Sequence, residues 1–164
     1  MRPSQRAKKT RAQYVIGRNQ AARQAKGKKS IPEILFNEYQ ESRQMGLLWS
    51  DDSNHPITIP VIDPETGEKF DFEIDFGHPV EVIPPQKQPV FDYIIEVDGN
   101  RWHKKASKER WKNHLKNLAG VRVFHIPAIM TAKHWWPTLD TWLWGVIISG
   151  GPVEYLDRIA SGLV

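Results

Sequence analysis

Glu96 and Asp98 close an apolar run and stand two residues apart. Ile94, Ile95 and Val97 are β-branched and read as a short buried strand. On a strand, residues two apart leave on the same face, so both carboxylates are presented together. Gly99 and Asn100 then turn the chain, and Arg101, Trp102, His103, Lys104 and Lys105 follow as a polar, aromatic and basic cluster. A third carboxylate, Asp75, ends an alternating run in which Phe70, Phe72, Ile74 and Phe76 take one face and Asp71, Glu73 and Asp75 the other. If the two strands are neighbours, Asp75, Glu96 and Asp98 converge at one rim of a sheet. Like charges repel there, and a cation is their natural partner. Oxygen-only ligands suit Mg2+ or Mn2+ better than zinc. Such an ion lowers the pKa of bound water and polarises a phosphodiester. Glu33, early in a helix, can swing toward the same rim as a fourth oxygen.

Each residue also has an ordinary structural use. Glu33 fits a capping box with Ser30. Asp75 fits an exposed strand position, and Asp71 and Glu73 are rival ligands. Asp92 shares the face of Glu96 but lies about 13 Å down the strand. Asp98 and Gly99 form a turn pair, and His103 fits a surface histidine. The lysines between 104 and 116 fit a solvated helix face, and the tryptophans fit a core better than a base-stacking platform.

The elements that must position these groups follow from local pattern. Ser30, Pro32 and Glu33 open a helix running to about Gln44, with Ile34, Leu35, Tyr39 and Leu47 on its buried side and Gly46 ending it. Trp49 to Pro56 reads as loop. Ile57 to Ile62 and Lys69 to Phe76 are strands joined by a turn at Asp63 to Gly67. Residues 77 to 89 hold four of the twelve prolines and read as an extended connection. The central strand is Val90 to Asp98. A helix over 105–119 buries Trp111, Leu115 and Leu118, and Gly120 caps it. Val121 to Ile126 is a further strand. Helices are expected from Thr131, over 138–149 and over 152–160. The predicted class is α/β: a mixed sheet flanked by helices, with an α-β-β-β-α-β core and a C-terminal helical extension.

The chain has 164 residues, which suits one core, and 40% of them are hydrophobic. The absence of cysteine excludes disulfides, thiolate metal ligands and cysteine catalysis. No apolar run approaches the roughly 20 residues of a membrane span. With no secretory signal at the N-terminus, a cytoplasmic protein is expected. The net charge of +4 hides an asymmetry. Ten basic residues and no acid lie within residues 1–32: Arg2, Arg6, Lys8, Lys9, Arg11, Arg18, Arg23, Lys26, Lys28 and Lys29. The rest of the chain then carries 13 basic against 19 acidic residues. A basic arm on an acidic body suits a protein that grips a polyanion. The expected division is an arm over 1–29 and one domain over 30–164, with a core over 30–127 and the extension over 128–164. Lys105 and Lys108 are further candidates for phosphate contact.

Taken together these residues resemble the PD-(D/E)XK nuclease superfamily, in particular its branch similar to very-short-patch-repair endonucleases. The matching features are Glu33 on a helix, Asp75 and Phe76 at a strand end, Ile94 to Gly99 with its Glu-x-Asp-Gly ending, Trp102 and His103, Arg110, and Gly120 to Val123. The resemblance covers residues 30–127 and implies a restriction-endonuclease-like sheet and magnesium-dependent cleavage of DNA, with Asp75 and Glu96 as metal ligands. The usual lysine position of that superfamily holds Asp98. Either Asp98 is a further ligand, or proton handling passes to His103, Lys104 or Lys105. The expected activity is a metal-dependent DNA endonuclease of homing, repair or phage type, possible as a homodimer making paired cuts. The alternatives are a non-catalytic nucleic-acid-binding protein, and a structure-selective resolvase or RNA nuclease using the same residues.

Overall fold

The computed structural model describes residues 30–50, 56–83, 88–98 and 106–156. Helix α1 spans Ile31–Ser42. The Ser30 hydroxyl accepts from the Glu33 amide at 3.4 Å and donates to the Glu33 carboxylate at 2.8 Å, a closed N-terminal cap. The helix stops two residues earlier than its periodicity predicts. Gln44 takes a φ of 54° and Gly46 a φ of 72°, left-handed turns that redirect the chain into β1, Leu48–Trp49.

Strands β2 (Thr58–Ile62) and β3 (Lys69–Glu73) pair as a hairpin and form a two-stranded sheet of their own. The alternating run was expected to continue to Phe76, and it does not. Ile74 and Phe76 are both fully buried, but in different apolar clusters on opposite sides of the main sheet. One straight strand cannot send residues two apart to opposite faces, so the chain breaks its alternation at Ile74 and Asp75.

Phe76 opens β4, Phe76–Ile83, in the stretch expected to be a connection. It runs antiparallel to β5, Gln88–Asp98, with Phe76 opposite Ile95 and Gly77 opposite Ile94. Register shifts between His78, Pro79 and Glu81 accommodate the proline, which cannot donate to the ladder. Gly77 is required here. A Cβ at that position would lie 2.5 Å from the Phe91 ring.

Helix α2 (Ala106–Leu118) crosses from β5 to β6 (Arg122–Pro127), which lies parallel to β5 as the strand-helix-strand pattern predicts. Two 3-10 turns, Ala128–Thr131 and Lys133–Trp135, lead into α3, Trp136–Ser149. The helix expected over 152–160 is corrected in its described part. Val153–Tyr155 is β7, a fifth strand parallel to β6. Arg122 on β6 donates to the carbonyls of Ile147 at 2.9 Å and Gly150 at 2.8 Å, tying the end of α3 to the sheet where β7 must begin.

The main sheet is therefore mixed, in the order β1-β4-β5-β6-β7. One face packs Ile95, Phe124, Ile126 and Phe76 against Phe36 and Tyr39 of α1 and Leu139, Leu143 and Val146 of α3. The other packs Ile94 and Val123 against Leu115 of α2 and Ile59 and Val61 of the hairpin. Each fully buried side chain of this size contributes about 1.5–3 kcal/mol. Among the described residues, no helix is long and apolar enough to cross a membrane.

Candidate functional site

Because Phe76 faces Ile95 in an antiparallel pair, the residue before it lies beside Glu96. The two acidic residues are interlocked through the backbone. The Val97 amide donates to Asp75 Oδ2 at 2.9 Å, and the Asp75 amide donates to Glu96 Oε2 at 3.4 Å. The Ser50 amide donates to the Asp75 carbonyl at 3.0 Å and fixes the segment from the other side. Burial pushes the Asp75 carboxyl well above the ordinary carboxylate range, and the charges of Glu96 and then Glu33 push it further. The hydrogen bond from Val97 opposes these effects and does not overcome them.

Two more groups join this rim. Lys116 of α2 places Nζ 3.1 Å from Glu96 Oε1, with only 5% of its side chain exposed. The same ammonium stands 5.7 Å from the centre of the Phe72 ring. Glu33 gives one oxygen to Ser30, while Oε1 is buried with no hydrogen-bond partner among the described residues. Its charge is felt at Asp75. Among the described residues, no three acidic or histidine side chains are gathered tightly enough to cage a metal ion. What stands there is a carboxylate pair with a buried lysine on one member and a third carboxylate nearby.

Asp98 shares the face of Glu96 but is engaged elsewhere. Its two oxygens lie 3.1 and 3.0 Å from Nδ1 of His125 on β6. Nε2 of the same ring faces Asn113 Oδ1 at 3.2 Å, and Asn113 Nδ2 donates to the Tyr155 hydroxyl at 3.0 Å. The rings of His125 and Tyr155 stack with centroids 4.4 Å apart.

The rival acids go elsewhere. Asp71 and Glu73 are exposed on the hairpin, outside the main sheet. Asp92 pairs with His78 at 2.7 Å. Lys108 and Arg110 are exposed on α2. Trp102, His103, Lys104, Lys105 and the ten basic residues of the arm lie outside the described residues. Trp111, Trp135, Trp136 and Trp142 pack against the cores, whereas Trp144 is 71% exposed.

Lys116, Asn113 and His125 were not anticipated from the sequence. The inner face of α2 was expected to be Trp111, Leu115 and Leu118, yet Leu118 is exposed while Asn113 and Lys116 are buried. The available signal was His125, one imidazole within the apolar run Val123, Phe124 and Ile126. No family model matches the chain, and comparison with curated proteins and with solved structures gave no match.

Proposed function

We propose that this protein is a divalent-metal-dependent endonuclease acting on DNA, built on a restriction-endonuclease-like arrangement of its sheet. The observation that carries the reading is the interlocked pair Asp75 and Glu96. Two acids, one from the bend before β4 and one from β5, are held side by side, partly desolvated, where protonation or a cation must offset their repulsion. The donor set fits a hard ion. Its atoms are carboxylate oxygens, and Glu33 holds a buried oxygen with no partner among the described residues. Asp75 and Glu96 would hold the ion, and Glu33, whose charge reaches Asp75, is the candidate for a further oxygen. When bound, such an ion supplies an acidified water and a counter-charge for the phosphate.

The remaining work falls to the chain itself. Water oxygen bonds to phosphorus as the bridging P–O bond breaks, leaving a hydroxyl on one product and a phosphate monoester on the other. Lys116, already against Glu96, is a fixed positive charge beside the scissile position in this reading. The basic residues between 2 and 29 supply phosphate contacts that hold the duplex without reading sequence.

The test is nicking of supercoiled plasmid with Mg2+ or Mn2+. Wild type should nick, chelator should abolish it, and Asp75→Asn and Glu96→Gln should each lose about 100-fold or more. If wild type binds DNA but cuts no duplex, junction or RNA in either metal, the acids are structural and the protein is a nucleic-acid binder. The relative rates on duplex, junction and RNA identify the substrate form.

A further inference from the structure

Four polar side chains from four elements form one continuous column through the interior: Asp98 of β5, His125 of β6, Asn113 of α2 and Tyr155 of β7. His125 is 2% exposed and Asn113 also 2%. Buried polar groups of this kind persist only when paired, and each link in the column is paired. The column begins at the rim beside Glu96, where the Asp98 side chain is 18% exposed, and ends at Tyr155, which is 40% exposed. These contacts fix the direction of one carboxylate.

From this geometry we infer that His125 and Asn113 are positioning residues that withdraw Asp98 from the metal-binding set and aim it at the attacking water. The inference rests on the nuclease reading above. His125 Nδ1 lies within 0.1 Å of equidistance from both Asp98 oxygens, 3.1 and 3.0 Å, so the carboxylate cannot rotate without losing a bond to the ring. The carboxylate so held keeps 18% of its side chain exposed at the rim, two residues along from Glu96 on the same face. A water held between Asp98 and the Asp75–Glu96 pair would donate a hydrogen bond to Asp98 and keep an oxygen lone pair toward phosphorus. Asn113 and Tyr155 matter because they fix the ring. The Asn113 amide bridges the far imidazole nitrogen to the Tyr155 hydroxyl, and the Tyr155 ring stacks flat on the imidazole at 9°. These contacts hold the ring at both nitrogens and on one face.

The experiment compares Asp98→Asn with Asp75→Asn in the full chain, using Mn2+ binding by titration calorimetry and single-turnover plasmid nicking. The inferred role requires Asp98→Asn to bind Mn2+ within about twofold of wild type while its turnover falls about 100-fold with little change in KM, the loss typical of a mispositioned reactive group. Asp75→Asn should lose Mn2+ binding. His125→Gln should reproduce the turnover loss, again without loss of Mn2+ binding. Asp98→Asn, a neutral isostere at a partly exposed position, carries the test should His125→Gln fail to fold. A second readout needs no activity. The imidazole proton on His125 Nδ1 should appear as a slowly exchanging low-field resonance in wild type and shift or vanish in Asp98→Asn. If Asp98→Asn weakens Mn2+ binding as much as Asp75→Asn does, Asp98 is a ligand and the inference is overturned. If the His125 resonance is unmoved by Asp98→Asn, the column itself is wrong. If wild type neither binds Mn2+ nor nicks, the nuclease reading fails and the water-orienting role goes with it, whatever the resonance does.

Discussion

Lys116 and Glu96 meet across the layer between α2 and β5, ammonium to carboxylate at 3.1 Å, with 5% and 14% of their side chains exposed. The pair bridges a helix and the strand it follows, so it joins the two elements on which the candidate site depends. A lysine this deep is costly unless its charge is matched. Here the Phe72 ring lies beneath it and Glu96 beside it.

Breaking one half of that pair should therefore cost more than removing both. Lys116→Met leaves Glu96 as a poorly solvated anion next to Asp75 and is expected to destabilise the fold by about 3 kcal/mol. Lys116→Met combined with Glu96→Gln should recover at least half of that loss. Urea melts of the two single variants and the double variant measure the coupling directly. A Lys116→Met midpoint equal to wild type would show that the pair contributes nothing.

The class of fold was legible because its strongest signals are local. The Ser30 cap, the β-branched run ending at Asp98 and the glycine after α2 each act over a few residues, and each lies where its pattern puts it. β4 was not legible. Gly77 and Pro79 are poor strand residues, and only the tertiary fit explains them: Phe91 fills the space above Gly77, and a bulge absorbs Pro79. β7 is only Val153–Tyr155, and a segment of three residues carries no periodicity. At the candidate site, Asp75 and Glu96 could be picked out because one ends an alternating run and the other an apolar one. Lys116 and Asn113 could not, since amphipathic patterning assigns polar helix residues to solvent. Their burial depends on which acids lie beneath α2, and that is a long-range fact.

Gly77 offers a sharp test of the β4 assignment. Gly77→Ala drives a methyl into the Phe91 ring, and overpacking of this kind costs about 1–3 kcal/mol. Gly77→Ala with Phe91→Leu should be more stable than the sum of the two single changes predicts, because the smaller side chain leaves room for the methyl. Additive thermal shifts in the double variant would place Gly77 somewhere other than against the Phe91 ring.

The basic residues near the N-terminus lead to a prediction about salt. Each phosphate neutralised contributes about −0.9 to the slope of log affinity against log salt on duplex DNA. Replacing Lys8, Lys9 and Arg11 with Gln should reduce the magnitude of that slope by about 2–3 and weaken binding to every DNA sequence alike. Fluorescence anisotropy across a salt series gives both values. A slope unchanged by the triple substitution would assign the phosphate contacts to the domain.

Asp75 yields a pH prediction whose sign can be worked out. Its carboxyl titrates well above the ordinary value of 3.8 in the folded protein, chiefly through burial and then through Glu96 and Glu33. The folded state thus holds a proton that the unfolded chain releases near 3.8. Where the native state binds more protons, stability falls as pH rises. The contribution of this group is complete below the unfolded pKa and is lost as pH climbs from there through the folded one. Asp75→Asn keeps an oxygen for the Val97 amide and removes the charge. Without metal, the variant should melt higher than wild type at pH 7 and show a weaker decline in stability between pH 4 and pH 8. Adding Mn2+ reverses the order in the nuclease reading, because an ion bound only to the native state raises the wild-type melting temperature and in the variant finds Glu96 without its Asp75 partner. Scanning calorimetry at several pH values, with and without Mn2+, separates the two effects. A metal-free Asp75→Asn that melts well below wild type at pH 7 would mean that the carboxylate is held by an attraction stronger than the repulsion from Glu96 and Glu33.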